Sequence, residues 1–326
     1  MSAGTDADAD VESIPLSHRE AETILRRIHP AASVAEVVVR TGGRSSPVVE
    51  VRCAPPVEPV VIKFYDGDSR WKRDKEVHVY RLLRERGVRC VPVVLGSGGE
   101  GAEGALGRGH LVMSRLDGQP LSEVVGELGA SAVAGIYEEM GALLARMHRI
   151  PQEAYGYLTT GILDPCATNA QYMQRQFEMK MREFADLGGD PNLRKAMEAR
   201  VRDGAGLFDN CTRPVLCHND FHEGNVLLHE VAGRRRIAGF IDVENAIAAD
   251  PLMDLAKTDY YSIRGNRNKQ DALHRGYGPL PADATERISL YRLYQALELW
   301  DWFALTGETA ALPGIAEDLA KMAIDL

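Results

Sequence analysis

No apolar run in this chain approaches the ~18 residues that a membrane-crossing helix needs, so a membrane partner is not expected. The opening segment, MSAGTDADADVES, lacks the basic start and apolar stretch of a secretory signal, and a cytoplasmic location is expected. Cysteine is scarce and scattered: Cys53, Cys90, Cys166, Cys211 and Cys217, with no C-x-x-C pair. An odd set without that spacing excludes a disulfide framework and a zinc site, and it reads as reduced thiols. A basic footprint is also missing. The formal net charge is −9, and two segments carry all of it. Residues 1–12 hold four acids and no Lys or Arg, and residues 277–326 hold eight acids against Arg287, Arg292 and Lys321. Without a positive face, nucleic acid is not an expected partner. Internal repeats and low-complexity linkers are absent as well.

What remains is an ordinary globular composition, 45% hydrophobic and 26% charged, over 326 residues. Residues 1–14 are expected to form a mobile acidic tail. Ser17-His18-Arg19-Glu20 has the form of a capping box and predicts a helix to about Ile28. Short β-rich runs follow at Ala35–Arg40, Val48–Cys53 and Val60–Tyr65, separated by turn-like stretches, which predicts an antiparallel meander. A helix is expected over 70–86, ended by Gly87, then strands over about 91–96 and 109–114. After Asp117-Gly118 the pattern turns helical, over about 130–149, 166–186, 191–207, 252–262, 283–304 and 314–324. A β-rich patch over 214–243 interrupts it. Strands first and helices after predict an α+β fold in two lobes, residues 15–116 and 117–326, with a hinge near 114–118.

The strongest chemical signal is His218-Asn219-Asp220-Phe221-His222-Glu223-Gly224-Asn225, flanked by apolar strands, with a further strand ending at Asp242. Strand–loop–strand–turn–strand geometry would gather Asp220, Asn225 and Asp242 at one end of a small sheet. Phosphoryl transfer needs that set, because the protein mainly positions the transferred group and offsets its charge. Asp220 would orient a hydroxyl and take its proton. Asn225 and Asp242 would hold Mg²⁺ through oxygen. His218 reads as a structural residue of the loop. His222 and Glu223 either face substrate or belong to a solvated loop.

The first half supplies partners. Lys63 stands inside the apolar strand Val60-Val61-Ile62-Lys63-Phe64, where a charge is costly unless paired. Glu76, on the following helix, is the expected partner, with ATP phosphates as the other.

These segments, with Leu111–Gly118, Gly141–His148 and Ile241–Ala256, make the sequence similar to the aminoglycoside phosphotransferase/choline kinase-like family. The resemblance implies a protein-kinase-like fold, a small β-rich N-lobe and a larger helical C-lobe. It implies ATP held between the lobes, with GTP not excluded, together with Mg²⁺. By position Asp220 matches the catalytic Asp, Asn225 and Asp242 the metal ligands, and Lys63 the ATP-phosphate lysine. Ser114 and Leu116 match the adenine-bonding hinge, and Met113 lines that pocket. Asp254 matches an acid expected to steady the catalytic loop. The sequence departs from the family at Asn219, where Gly is more usual. It also lacks G-x-G-x-x-G in Gly42-Gly43-Arg44-Ser45-Ser46, where Ser45 and Ser46 either cap phosphates or form a plain hairpin turn.

The acceptor is the least legible part. Glu298 and Asp301 share a helix face, so an acidic wall would suit a polyamine, whereas Trp300 and Trp302 would stack on a nucleoside or macrolide or belong to the core. The expected function is O-phosphorylation of an antibiotic, aminoglycoside-like or another hydroxylated natural product, nucleoside antibiotics included, which confers resistance. A metabolic kinase of an amino alcohol, sugar or ketosamine is the alternative, and an ATP-binding pseudokinase regulator the third. Oligomeric state stays open.

Overall fold

The computed structural model describes residues 16–40, 46–65, 69–99 and 108–324. The expected tail, residues 1–14, lies outside them, as does Ser45 with the adjoining Gly42–Arg44. The chain divides into two compact units. One extends to Arg81 and takes in Pro92–Leu116; the other comprises Leu82–Val91 and the chain from Asp117 onward.

In the first unit, Ser17 caps helix α1 (His18–Leu25) with both bonds of a capping box: its hydroxyl accepts from Glu20 N–H, and Glu20 accepts from Ser17 N–H. Strands β1 (Val34–Arg40), β2 (Val48–Cys53) and β3 (Val60–Tyr65) follow, then helix α2 (Arg70–Glu85), β4 (Val94–Gly98) and β5 (Gly109–Ser114). They form an antiparallel sheet in the order β1-β2-β3-β5-β4. Side chains alternate across β3. Val60, Ile62 and Phe64 join Ile24 and Leu25 of α1 in one apolar core. Lys63 and Tyr65 take the opposite face.

Helix α2 ends as its sequence predicts. Gly87, at φ +84°, donates to Arg84 O, and Val88 N–H donates to Leu83 O, the paired bonds of a Schellman cap.

The second unit continues with β6 (Gln119–Pro120), α3 (Leu121–Val124), α4 (Ala130–Met147), the hairpin β7 (Tyr155–Leu158) and β8 (Ile162–Cys166), α5 (Asn169–Asp186) and α6 (Pro191–Gly204). Then come β9 (Val215–Cys217), β10 (Val226–Val231), β11 (Arg234–Phe240), β12 (Ile247–Ala249), α7 (Leu252–Thr258), α8 (Arg267–Tyr277), α9 (Ala284–Thr306) and α10 (Leu312–Ile324). Two small sheets result, β11-β10-β6 and β8-β7-β12-β9. This corrects the single sheet expected over 214–243: β9 pairs with β12, not with β10. The helix expected over 252–262 also stops at Thr258 and opens into a π-helical turn, Asp259–Ile263.

Helices α4 and α8 pack with their backbones nearly touching. A Cβ on Gly276 would lie 1.8 Å from Glu138 O, and one on Gly141 would lie 2.1 Å from Leu273 O. Backbone cannot yield as a side chain does, so Gly276→Ala forces the helices apart. A loss of about 3 kcal/mol is expected, read as a lower midpoint in urea unfolding. A wild-type midpoint would refute the close-packing account.

Candidate active site

The first unit pairs Lys63 with Glu76. Lys63 Nζ lies 2.6 Å from Glu76 Oε1, and Tyr65 O–H donates to the same oxygen at 2.7 Å. Strand alternation aims Lys63 and Tyr65 at α2, and all three groups are buried. Burial, then the Glu76 charge, push the Tyr65 phenol far above its ordinary pKa, so it stays a donor. Met113 is buried on β5 opposite Val61. Ser114 N–H is committed to Val93 O at 2.9 Å, and its hydroxyl accepts from Val93 N–H at 2.8 Å. Leu116 is half-buried, and Ser46 is buried at the entry to β2.

In the second unit the loop after β9 is held from beneath. Asp254 accepts from His218 N–H at 2.8 Å, from Asn219 N–H at 2.6 Å and from His148 Nε2 at 3.0 Å. Asn219 takes the left-handed conformation, φ +59°, which Asn tolerates better than most residues. His218 Nε2–H donates to Ile241 O at 3.0 Å, while Nδ1 is buried without a partner. Burial lowers the His218 pKa against the pull of nearby carboxylates, so the ring is a neutral strut between the loop and β11. Its ring packs against Phe221 and Phe240.

The strut and cradle bring Asp220 to Asn225. Asn225 Nδ2 donates to Asp220 O at 2.9 Å and to Asp220 Oδ2 at 3.2 Å. Those oxygens only accept, so the amide NH₂ must face them and Asn225 Oδ1 is left as an acceptor. Ile241 N–H donates to Asn225 O at 3.0 Å, which puts Asp242 one residue beyond that bond. Asp242 is itself left-handed at φ +65°. Two oxygen donors, an amide and a carboxylate, suit a hard cation such as Mg²⁺ that keeps much of its water.

The other Asp220 oxygen faces His222, which the sequence singled out, together with Lys257 and Tyr261, which it did not. Lys257 Nζ, on α7, lies 3.4 Å from Asp220 Oδ1 and 4.1 Å from the centre of the Tyr261 ring. Tyr261 stacks on His222 with ring centres 5.7 Å apart. His222 Nδ1 accepts from Gly224 N–H, so Nε2 carries the proton it presents to Asp220 Oδ1 at 3.5 Å. Burial alone would raise the Asp220 pKa, but Lys257 and His222 outweigh it and hold the carboxyl well below the usual carboxylate range. Burial would likewise lower Lys257, but Tyr261 and Asp220 raise it. The signal available in the sequence was spacing: Lys257 stands three residues after Asp254, the one cation in a helix whose residues are all buried.

The residues expected at the acceptor fall in different places. Glu223 accepts from Tyr137 O–H at 2.6 Å and pairs with Lys269 at 2.8 Å. Glu298 accepts from Tyr294 O–H at 3.0 Å. Trp300 is core, packed on Phe184, whereas Trp302 is half-buried beside Phe303. Asp301 does not stand on an open wall: it is 1% exposed, 3.4 Å from Lys180 of α5. Burial pushes its pKa up to about 7, against the pull of Lys180. An acid raised on folding stabilises below its unfolded pKa, and that contribution fades as pH rises through the folded value. Asp301→Asn is therefore expected to gain thermal stability on wild type between about pH 4 and 7. A difference independent of pH would show that Asp301 does not titrate there.

A separate cavity of about 680 Å³ opens between the π turn, α9 and α10, lined by Tyr260, Arg264, Arg292, Leu299 and Asp318 among others. None of the expected site residues lines it.

Comparison with known proteins gives the class. The family described as "Phosphotransferase enzyme family" matches residues 36–291. The chain belongs to that family. A homoserine kinase from Cupriavidus pinatubonensis (strain JMP 134 / LMG 1197) is 27% identical over 214 residues, 59% of this chain and 61% of that protein, so the match spans less than two thirds of its length. Among solved structures, a thermostable mutant of aminoglycoside phosphotransferase APH(4)-Ia, in ternary complex with AMP-PNP and hygromycin B, aligns with a TM-score of 0.69 at 16% identity, covering 94% of this chain and 100% of that one. The GDP and kanamycin complex of APH(2")-IIia aligns with a TM-score of 0.68 at 15% identity, covering 93% and 97%. At such identities the likeness shows the fold, which is the kinase-like α+β fold of these phosphotransferases. No helix among the described residues is long and apolar enough to cross a membrane.

Proposed function

We propose that the protein transfers the γ-phosphoryl group of ATP, with Mg²⁺, to a hydroxyl of a small natural product of the antibiotic kind, and that it confers resistance. The observation that carries the chemistry is the contact of Asp220 with Asn225, on a loop braced by His218 and Asp254. Asp220 takes the acceptor's hydroxyl proton while that oxygen bonds to the γ-phosphorus and the bond to ADP breaks. A carboxylate held at so low a pKa takes the proton late, which suits a loose transition state. Lys63, oriented by Glu76, holds the nucleotide phosphates. Ser46 caps them, and Ser45 is assigned the same role from the sequence alone. Met113, Ser114 and Leu116 receive the base; the Ser114 N–H is already taken, so its carbonyl would serve. Asn225 Oδ1 and Asp242 hold Mg²⁺, which neutralises phosphate charge when bound. His222, Glu223, Glu298 and Trp302 border the acceptor. Solved relatives of this fold were captured with AMP-PNP and with GDP, which supports nucleotide use of either kind.

A second reading, a metabolic kinase of a small hydroxylated amino acid or amino alcohol, is favoured by the match to a homoserine kinase. Incubation with Mg·ATP and a panel of antibiotics and metabolites, followed by mass spectrometry, tests both. A phosphate-sized mass gain on an antibiotic, with reduced drug susceptibility of expressing cells, supports the first. A gain confined to a metabolite supports the second. No ATP turnover with any member would count against the kinase reading.

A further inference from the structure

Around the proposed base, each buried or half-buried lysine lies against at least one acid. Asp220 faces Lys257 at 3.4 Å, Glu223 pairs with Lys269 at 2.8 Å, and Lys180 stands between Glu183 at 2.7 Å and Asp301 at 3.4 Å. Lys257 is 6% exposed and Lys269 keeps a further bond to Ser262 O, so neither is a loose surface chain. Glu298, the remaining acid, accepts from Tyr294, and its charge acts on both Lys257 and Lys180. The acidic wall that would receive a polyamine is thus partly offset by cations from inside the fold, three lysines against five acids. We infer that the acceptor site beside Asp220 takes hydroxyl compounds without a cluster of positive charge — uncharged or zwitterionic ones — and that Lys257 is the residue that sets this preference.

The physical reason is repulsion in a confined place. A substrate ammonium group approaching Asp220 would meet the Lys257 ammonium, which Asp220 and the Tyr261 face already hold in position. Like charges brought together without water between them discriminate against the wrong ligand more than any single attraction selects the right one. A neutral polyol meets no such barrier, and a zwitterion can turn its carboxylate toward the lysine. Glu223 and Asp301 cannot compensate, since each is already partnered.

The inference rests on the proposed phosphotransfer at this site, and the experiment keeps the charge preference apart from the role of Asp220 as base. Transfer from Mg·ATP is measured to kanamycin and hygromycin B as polycations, to uridine as an uncharged probe and to homoserine as a zwitterion. Wild type is expected to show a higher kcat/KM for uridine or homoserine than for either polycation. Lys257→Gln is expected to raise the polycation-to-neutral ratio of kcat/KM about tenfold, a ratio that general damage to the fold would leave alone. Lys269→Gln serves if that variant does not fold, with a smaller rise expected. A wild type that prefers kanamycin overturns the inference, and so does a ratio that moves in neither variant. If no probe is phosphorylated, calorimetric titration of kanamycin into the Mg·ADP-loaded protein decides: binding tighter than about 100 µM, some 5 kcal/mol, overturns it, and no binding upholds it. Asp220→Asn that keeps full transfer would remove the proposed base and leave the charge preference standing.

Discussion

Asp220→Asn is expected to lower kcat by about 10³-fold, since a positioned general base contributes on the order of 10²–10⁴. The amide has the shape of the carboxylate but cannot take the acceptor's proton. It also fails Lys257, whose buried ammonium loses the carboxylate oxygen 3.4 Å away. The variant should therefore be less stable as well as less active, by roughly 3–5 kcal/mol if the lysine is left uncompensated. Glu298 and the Tyr261 ring remain to soften that cost. The double variant Asp220→Asn/Lys257→Met separates the two effects, because it removes the stranded charge without restoring a base. It should regain much of the unfolding midpoint and none of the turnover. Nucleotide affinity, measured by equilibrium titration, should change little in either variant. Asp220→Asn with turnover within a few-fold of wild type would show that this carboxylate is not the base.

How much of this was legible in the sequence depended on the range of the interaction. Local rules served well: the Ser17–Glu20 box, the Gly87 cap and the Lys63 strand each depend on residues within a few positions, and each formed as read. Lys63 and Glu76 were also within reach, because a charge in an apolar strand demands a partner and the next helix offered one. Pairing between distant strands was not legible. Residues 214–243 read as one continuous β patch, yet β9 joins β12, which in turn pairs with β7 of the hairpin at 155–166, an element the spacing of the sequence does not announce. That hairpin contains Gly156, Gly161 and Pro165, which read as punctuation rather than strand. Helix α8 was missed for the converse reason: RNKQDALHRGY is nearly all polar, and only Ala272 and Leu273 are buried, against α4.

The acceptor side shows the same limit in electrostatic form. Glu298 and Asp301 share a helix face by their spacing, which suggests a wall of acids. The cations that meet that wall come from α5 and α7, more than forty positions away in each case: Lys180 lies 3.4 Å from Asp301, and Lys257 feels the Glu298 charge. Net charge along a segment says little about local potential when the counter-charges arrive through tertiary packing. Of the eight acids in the C-terminal segment, Asp283 meets Arg287 and Asp318 lies near Lys321 within the segment itself, whereas Asp301 meets Lys180 from outside it. Lys257 shows how a whole site can hide in a helix that reads as core.

Asp254→Ala is expected to cost about 3–5 kcal/mol and nearly all activity, although Asp254 lies behind the loop and touches neither the acceptor nor the nucleotide in the proposed arrangement. Its side chain is 0% exposed and accepts three hydrogen bonds, two from consecutive backbone N–H groups of the loop and one from His148. Alanine leaves all three donors buried and unpaired, at about 1–3 kcal/mol each before relaxation. Relaxation is what damages function. Asn219 holds a left-handed backbone because its N–H is drawn to Asp254 Oδ1, and a loop free to unwind there carries Asp220 away from Asn225. Asp254→Asn should be milder in volume but not in bonding, since its NH₂ group faces a donor wherever it is turned. Urea unfolding and kcat should therefore fall together in both variants, whereas Asp220→Asn/Lys257→Met dissociates them. A stable, fully active Asp254→Ala protein would mean that the loop is held by something other than this carboxylate.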